Sequence, residues 1–275
     1  YSETWFKKNG VNSKKIFQEY KKKLPKLDES HPSEIDGYKY FSTISISSEH
    51  RKYYRIFKKQ KELILDVNKL ANHKKYYSIS GIYPSRDHRY IAYGEDTNGR
   101  REYSVVVKDL ESNKIVDNNN CFSAGGVIWN IDSTGYYYLK RDPKTLITNA
   151  LYFHNLDSKD NEDKLIYKEK DIEFNLSISL SRTKKRLLLQ ISKTECNEYR
   201  MLDLENRKST LYLFQKRKKE HLYYIDDSPN EFFILSNKNN KKNFALYTAV
   251  LSDFNENKWK IFKEHNKNEL LEDFQ

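Results

Sequence analysis

The residues that could do chemistry in this 275-residue chain are few and widely separated. A serine nucleophile of the α/β-hydrolase type needs the pattern Gly-x-Ser-x-Gly, because small neighbours permit the strained turn that exposes the serine. None of the eight glycines forms that pattern. The nearest approach to a phosphate-binding loop, Gly94 to Gly99, is followed by Arg100 and Arg101 rather than by the required Lys and Ser or Thr. We interpret this segment as a hairpin turn.

Acid–base catalysis and metal binding are not indicated either. The carboxylate pairs Glu95-Asp96 and Asp226-Asp227 are adjacent, so in a strand their side chains point to opposite faces and cannot share a proton. No histidine pairs with another His or Cys at metal-ligand spacing. We therefore predict no catalytic residue, no metal ligand and no cofactor. We expect surface or satisfied structural positions for the seven histidines, His31, His50, His73, His88, His154, His221 and His265.

The most distinctive charged cluster is Arg100-Arg101-Glu102-Tyr103. An arginine is suited to bidentate pairing with a carboxylate. The cluster predicts a structural ion pair between repeats or across a domain boundary. Contact with a peptide or a partner protein is the alternative.

The composition indicates a folded cytoplasmic protein without a membrane segment. Hydrophobic residues make up only 37%, but 22 Tyr, 14 Phe and 3 Trp supply large surfaces for burial. Cys121 and Cys196 are too few and too far apart for a disulfide framework, which favours a reducing compartment. No apolar run reaches 18 residues, and the start is not a signal peptide. Because the chain opens with Tyr1 and Met201 is its only methionine, we expect an excerpt of a longer protein.

The net charge of +11 is compatible with nucleic-acid binding. However, the lysines are spread through polar loops that adjoin strand-like segments, and no recognition module is present. We interpret the charge as a solvated surface and expect no nucleic-acid partner.

Residues 1–33 are predicted to form a helical extension and a linker. Four apolar residues at helical spacing predict an amphipathic helix over residues 13–24. Pro25 ends this helix, and the charged stretch 27–33 is expected to be the linker.

From residue 34 onward, short apolar runs alternate with polar clusters, and this pattern repeats every 45 to 51 residues. Repeats of that length with four strands are typical of β-propeller blades, whose sheets bury both faces against their neighbours. The markers are Tyr40, Ile91, Tyr136, Leu187 and Phe232 for the second strand, Tyr54, Val105, Leu151, Arg200 and Leu246 for the third, and Leu65, Ile115, Ile166, Leu213 and Ile261 for the fourth.

The predicted fold class is therefore all-β, an incomplete β-propeller over residues 34–275. An open arc leaves the faces of its first and last blades exposed, so self-association through these faces is expected. The five four-stranded blades are predicted at residues 34–80, 81–123, 124–172, 173–219 and 220–268, and the next blade is predicted to start within 269–275.

Several segments resemble the oligopeptidase B (protease II) family of serine peptidases. Residues 90–103, Tyr-Ile-Ala-Tyr-Gly-Glu-Asp-Thr-Asn-Gly-Arg-Arg-Glu-Tyr, are similar to part of the second propeller blade of that family, and His154 ends a strand as in its third blade. Phe153 departs from the pattern, since the family commonly has a basic residue there. Nearly the whole chain is covered, with further similar segments at residues 108–112, 136–139, 142–146, 163–171, 198–203, 219–221, 242–247 and 270–274.

The resemblance implies a propeller of seven blades, of which this chain holds about five, in a cytoplasmic peptidase of the prolyl oligopeptidase group. Such an enzyme cleaves short peptides after Lys or Arg, through a Ser, Asp and His triad in a C-terminal α/β-hydrolase domain. No position here matches that domain's motifs, so the chain alone is expected to be inactive. The implied role of the propeller is a gate that admits short peptides and excludes folded proteins. The alternative is a stand-alone propeller scaffold that binds protein or peptide partners.

Overall fold

The computed structural model describes residues 2–10, 12–157 and 163–274. The chain divides into two compact units, Tyr1–Ser78 and Ile79–Gln275. The predicted all-β class is confirmed, because antiparallel strands dominate and the α-helices are few and short. The helices are α1 (Ser2–Lys8), α2 (Ser13–Lys23) and α3 (Val67–Ala71). The strands are β1 (Leu27–Glu29), β2 (Ser33–Ile35), β3 (Tyr38–Ser45), β4 (Lys52–Phe57), β5 (Gln60–Asp66), β6 (Ser78–Ile79), β7 (Tyr83–Pro84), β8 (Tyr90–Asp96), β9 (Tyr103–Asp109), β10 (Lys114–Trp129), β11 (Gly135–Arg141), β12 (Thr148–Asn155), β13 (Lys164–Lys168), β14 (Asn175–Leu180), β15 (Arg186–Lys193), β16 (Cys196–Asp203), β17 (Tyr212–Gln215), β18 (Tyr223–Asp227), β19 (Glu231–Ser236), β20 (Ala245–Val250) and β21 (Lys260–Lys263).

The first unit begins with two helices. Helix α2 confirms the amphipathic helix predicted over residues 13–24. Its N-terminus is capped by Asn12, whose side-chain oxygen accepts a hydrogen bond of 3.0 Å from the backbone N–H of Lys15. Helix α1 was not predicted, because seven residues are too few for a clear periodic signal. Every described side chain of both helices is exposed.

Strands β1 to β5 form the sheet of the first unit, sheet A, in the order β1-β3-β4-β5, with β2 paired to β3. Strand β1 corrects the linker predicted over residues 27–33. Residues Leu27 to Glu29 pair antiparallel with Ser45 to Thr43 of β3. All three side chains of β1 are exposed, so the strand has no apolar alternation from which it could be predicted.

The second unit consists of three antiparallel sheets that follow one another along the chain. Sheet B contains β6 to β13, sheet C contains β14 to β17, and sheet D contains β18 to β21. Two predicted blades, 81–123 and 124–172, fall within sheet B. They are joined by β10, whose first half pairs with β9 and whose second half pairs with β11. The predicted boundary between these blades thus lies inside one continuous strand, and the division into five blades stays a prediction.

Strand β10 bends where it passes from one half of sheet B to the other. The ladder shifts register on both sides of Ser123, and Gly125 has a φ of +102°. A Cβ on Gly125 would lie 2.9 Å from the ring of Tyr103 and 2.7 Å from Cβ of Ser80. The Ser80 hydroxyl donates to the carbonyl of Gly125 at 2.5 Å and accepts from the N–H of Gly94 at 3.0 Å. The close contact of β10 with Tyr103 and Ser80 therefore requires a residue without a side chain at position 125.

Sheet C shows how the core is arranged. Leu187, Leu189 and Ile191 of β15 belong to an apolar cluster that includes residues of sheet B. Leu188, on the opposite face of the same strand, belongs to a cluster that includes residues of sheet D. Both faces of sheet C are thus buried against neighbouring sheets, which is the packing of a propeller blade.

Candidate functional site

A buried polar site lies within sheet B around His154 of β12, which is 2% exposed. Its Nδ1 lies 2.6 Å from Oδ1 of Asp163, and its Nε2 lies 3.3 Å from Oδ2 of Asp117. Asp117 belongs to the first half of β10, and Asp163 directly precedes β13. The imidazole is therefore held between two carboxylates from different parts of the sheet.

Polar groups from β10 and β11 complete this site. The Asn119 amide donates to Oδ2 of Asp163 at 2.9 Å. The Tyr136 hydroxyl donates to Asp117 at 3.1 Å, and the Tyr138 hydroxyl donates to Asp163. Asp117 and Asn119 are two residues apart in a strand, so their side chains lie on the same face. The polar run in β10 thus supplies a carboxylate to His154 through Asp117, and Asn119 binds the second carboxylate, Asp163.

The positive and negative charges in this site stabilise each other. Burial disfavours the imidazolium, but hydrogen bonds and Coulomb attraction from Asp117 and Asp163 outweigh it and raise the pKa of His154 to about 9. Burial also disfavours the ionised carboxylate, yet the hydrogen bonds from His154, Tyr138 and Asn119 lower the pKa of Asp163. His154 is therefore a cation at neutral pH. An imidazole that already carries both protons cannot serve as a general base.

A second polar site joins sheets C and D. Asp227 of β18 accepts hydrogen bonds from the backbone N–H of Thr183 at 2.9 Å, from the Thr183 hydroxyl at 2.7 Å and from Arg186 at 2.5 Å. The neighbouring Asp226 accepts from the backbone N–H of Arg182 at 2.8 Å. The pair lies at the C-terminal end of β18. Both carboxylates bind the turn that connects β14 to β15.

A third polar site lies around Arg217, which follows β17. Its guanidinium donates to Glu169 at 3.0 Å and lies 3.9 Å from Glu198. It also stacks over the ring of Phe174 at 4.1 Å from the centroid. Glu169 follows the last strand of sheet B, whereas Glu198 is in sheet C. Arg217 therefore fastens these two sheets to each other.

The Arg100-Arg101 segment lies in the connection between β8 and β9, which confirms the predicted hairpin turn. The buried Asp96 carboxylate accepts hydrogen bonds of 2.8 to 2.9 Å from the backbone N–H groups of Asn98, Gly99 and Arg101. Although burial opposes ionisation, these bonds lower the pKa of Asp96. The hairpin is thus built around an ionised carboxylate.

The structural ion pair predicted for Arg100 or Arg101 between repeats is not formed among the described residues, and a pair across a domain boundary stays a prediction. Over residues 2–10, 12–157 and 163–274, neither guanidinium has a carboxylate within ion-pair distance. The neighbouring carboxylates are used otherwise, because Asp96 binds backbone N–H groups and Glu102 accepts from the Asn98 amide at 2.7 Å. Both arginines are exposed, so contact with a peptide or a partner stays open.

The remaining histidines do not converge on a common site. Nε2 of the buried His221 lies 2.9 Å from the hydroxyl of Ser236, and burial lowers the pKa of His221. In the part of the chain that the structure describes, no group of three or more His, Cys, Asp or Glu side chains could hold a metal ion. The same described residues contain no helix that is long and apolar enough to cross a membrane.

Comparisons with known proteins identify the type of domain. The family model for the prolyl oligopeptidase N-terminal beta-propeller domain matches residues 1–275. Dipeptidyl aminopeptidase BI of Pseudoxanthomonas mexicana is 27% identical over 214 residues, which are 78% of this chain and 30% of that protein. Protease 2 of Moraxella lacunata is 26% identical over 251 residues, which are 88% of this chain and 36% of that protein. The chain thus spans about a third of the length of these relatives.

Solved structures agree on the fold. Oligopeptidase B of Leishmania major superposes with a TM-score of 0.84 at 23% identity, over 92% of this chain and 36% of that protein. Oligopeptidase B of Trypanosoma brucei with covalently bound antipain gives the same TM-score at 22% identity and the same coverage. Because the family model matches the full sequence and the sheets pack as propeller blades do, the chain belongs to the prolyl oligopeptidase N-terminal β-propeller domain family.

Proposed function

We propose that this chain is the gating propeller of an oligopeptidase B-like serine peptidase that cleaves short peptides after Lys or Arg. The observation that carries the proposal is the match of the propeller family model to residues 1–275. The relatives are about two and a half times as long as this chain, which supports a partner domain of the α/β-hydrolase type that holds the Ser, Asp and His triad. The propeller limits access to that triad.

The packing of sheets B, C and D supports a gate. A channel between blades excludes folded proteins only if the blades keep their positions. Arg217 bonds to Glu169 between sheets B and C, and Asp227 bonds to Arg186 between sheets C and D. The apolar clusters that sheet C shares with sheets B and D also hold these sheets in place. A unit held together in this way does not open enough to admit a large substrate.

The test compares a short chromogenic peptide ending in Arg with a folded protein that carries arginines in surface loops. The full-length peptidase is expected to cleave only the peptide, and a serine-directed covalent reagent should abolish this activity. The chain of residues 1–275 alone is expected to cleave neither. Turnover by the isolated chain that the same reagent blocks would contradict the proposal.

Location and self-association belong to the same proposal. Cys121 and Cys196 are free and buried, which supports a reducing cytoplasm.

Sheet D keeps large apolar side chains exposed, among them Ile261 at 49% and Phe262 at 64%, and these support self-association of the isolated chain. Sedimentation velocity at rising concentration tests this, and Phe262→Lys is expected to favour the monomer. A concentration-independent monomer for the unsubstituted chain would contradict it.

A further inference from the structure

A cleft of about 300 Å³ opens between sheets B and C. One wall comes from the turn between β10 and β11, with Asp132, and from the rings of Tyr137 and Phe153. The other wall comes from the connection between β16 and β17, with Leu204 and Arg207. The lining combines aromatic and aliphatic side chains with a larger share of polar and charged groups. The volume is at the lower end of the range for small-molecule sites.

The floor of the cleft is fixed in place by close packing. The Phe153 ring covers Gly135, where an added Cβ would lie 2.6 Å from that ring. The ring centroids of Phe153 and Tyr137 are 4.8 Å apart at an interplanar angle of 49°. Leu204 on the opposite wall is 5% exposed. An apolar side chain that entered the cleft would therefore meet a preformed surface.

The rim carries charges of both signs. Arg207 and Asp132 form an ion pair of 2.8 Å across the mouth. The Arg207 side chain is 77% exposed, so water screens this pair and a competing carboxylate can take over the guanidinium. Lys164 and Asp203 also line the cleft. When this pair opens, the cleft presents two cations, Arg207 and Lys164, and two carboxylates, Asp132 and Asp203.

We propose that this cleft binds a short apolar peptide with free termini. The peptide carboxylate replaces Asp132 on Arg207 and is also attracted by Lys164. The released Asp132 binds the peptide ammonium, and the apolar side chains lie on Tyr137 and Phe153. The volume suits one or two amino-acid residues. The site is separate from the gating role, because no residue of the cleft takes part in peptide cleavage.

The dipeptide Leu-Leu is the probe, titrated by calorimetry into the full-length protein with its active-site serine blocked by a covalent reagent. We expect saturable 1:1 binding with a Kd on the order of 0.1 to 1 mM, as ligand efficiency allows for so small a molecule. Arg207→Gln should weaken binding about two- to fivefold, since water screens a contact made by so exposed a guanidinium. Lys208→Gln, an exposed change in the same connection, should leave the Kd unchanged.

Ligand variants separate the two parts of the site. Gly-Gly lacks apolar side chains and N-acetyl-Leu-Leu-amide lacks both charges, so neither should bind measurably. Failure of Leu-Leu to bind, equal binding of the blocked peptide, or an unchanged Kd for Arg207→Gln would each overturn the proposal. These outcomes are independent of the peptidase function, because the serine is blocked and Leu-Leu contains no Lys or Arg.

Discussion

The Oδ2 atom of Asp227 in sheet D lies 2.5 Å from the guanidinium of Arg186 in sheet C. The Asp227 side chain is fully buried and that of Arg186 is 16% exposed. The same carboxylate also binds the backbone and the hydroxyl of Thr183. Water can therefore not replace either partner easily, and the pair couples the position of one sheet to that of the next.

Asp227→Asn is expected to lower the free energy of unfolding by about 3 to 5 kcal/mol, because Arg186 keeps its charge in a largely buried position without a counterion. Urea unfolding followed by circular dichroism measures the loss. Glu205→Gln is the matched control, since Glu205 pairs with Lys185 at 3.2 Å and both side chains are 52% exposed. That change should cost less than about 1 kcal/mol. Equal effects of the two substitutions would refute the role given to Asp227.

His154 should make the stability depend on pH. Its pKa is raised from 6.5 to about 9 in the folded protein, so between these values the folded state holds a proton that the unfolded state has released. The stabilisation is complete below pH 6.5 and is lost as the pH rises to 9, at about 1.4 kcal/mol per pH unit. Urea unfolding at several pH values should show this slope, and His154→Gln should remove it. Parallel slopes for both proteins would contradict the assignment of the charge.

Gly125→Ala is expected to destabilise the protein by about 2 to 4 kcal/mol. A Cβ at a φ of +102° strains the backbone, and it would also contact the Tyr103 ring at 2.9 Å. Gly126→Ala is the control, because its nearest neighbour, the Tyr83 hydroxyl, would be 3.5 Å away. Thermal unfolding of both variants gives the comparison. If the Gly125→Ala protein were as stable as the Gly126→Ala protein, the close packing of β10 against Tyr103 would not require glycine at position 125.

The double substitution Arg100→Gln and Arg101→Gln should leave the free energy of unfolding within about 0.5 kcal/mol of its original value. Neither exposed side chain has an ion-pair partner in the described residues, and the backbone bond from Arg101 to Asp96 is retained. Chemical unfolding tests this expectation. A loss above about 1 kcal/mol would mean that the arginines stabilise the fold after all, through contacts other than ion pairs.

The strand pattern was predictable from the sequence because burial on two faces demands large side chains at regular intervals. The five second-strand markers are all buried, namely Tyr40, Ile91, Tyr136, Leu187 and Phe232. The other ten markers also lie within strands, from Tyr54 in β4 to Ile261 in β21. The buried second-strand positions follow from the hydrophobic effect, whereas outer-strand markers such as Ile115 and Ile261 are half exposed and follow from the repeat itself.

The polar sites could not be predicted in this way. His154 meets Asn119 from 35 residues away, and Asp227 meets Thr183 from 44 residues away. Sequence spacing carries no signal for contacts at that separation. The polar run from Asp117 to Asn120 has the composition of a turn, yet it lies within β10 because Asp117 and Asn119 are used inside the sheet. This polar stretch is therefore a strand, in which Asn119 is buried whereas Asn118 and Asn120 are exposed.

The continuity of β10 limits where a propeller of this kind can deform. The first half of β10 is hydrogen-bonded to β9 and the second half to β11, so the two halves of sheet B are held together by one covalent backbone. Sheets B, C and D are joined to one another by side chains, as at Arg217 and Asp227. A motion of the second unit that widened a passage for a peptide would consequently separate neighbouring sheets at these side-chain contacts. The hydrogen-bonded ladders of sheet B would stay intact.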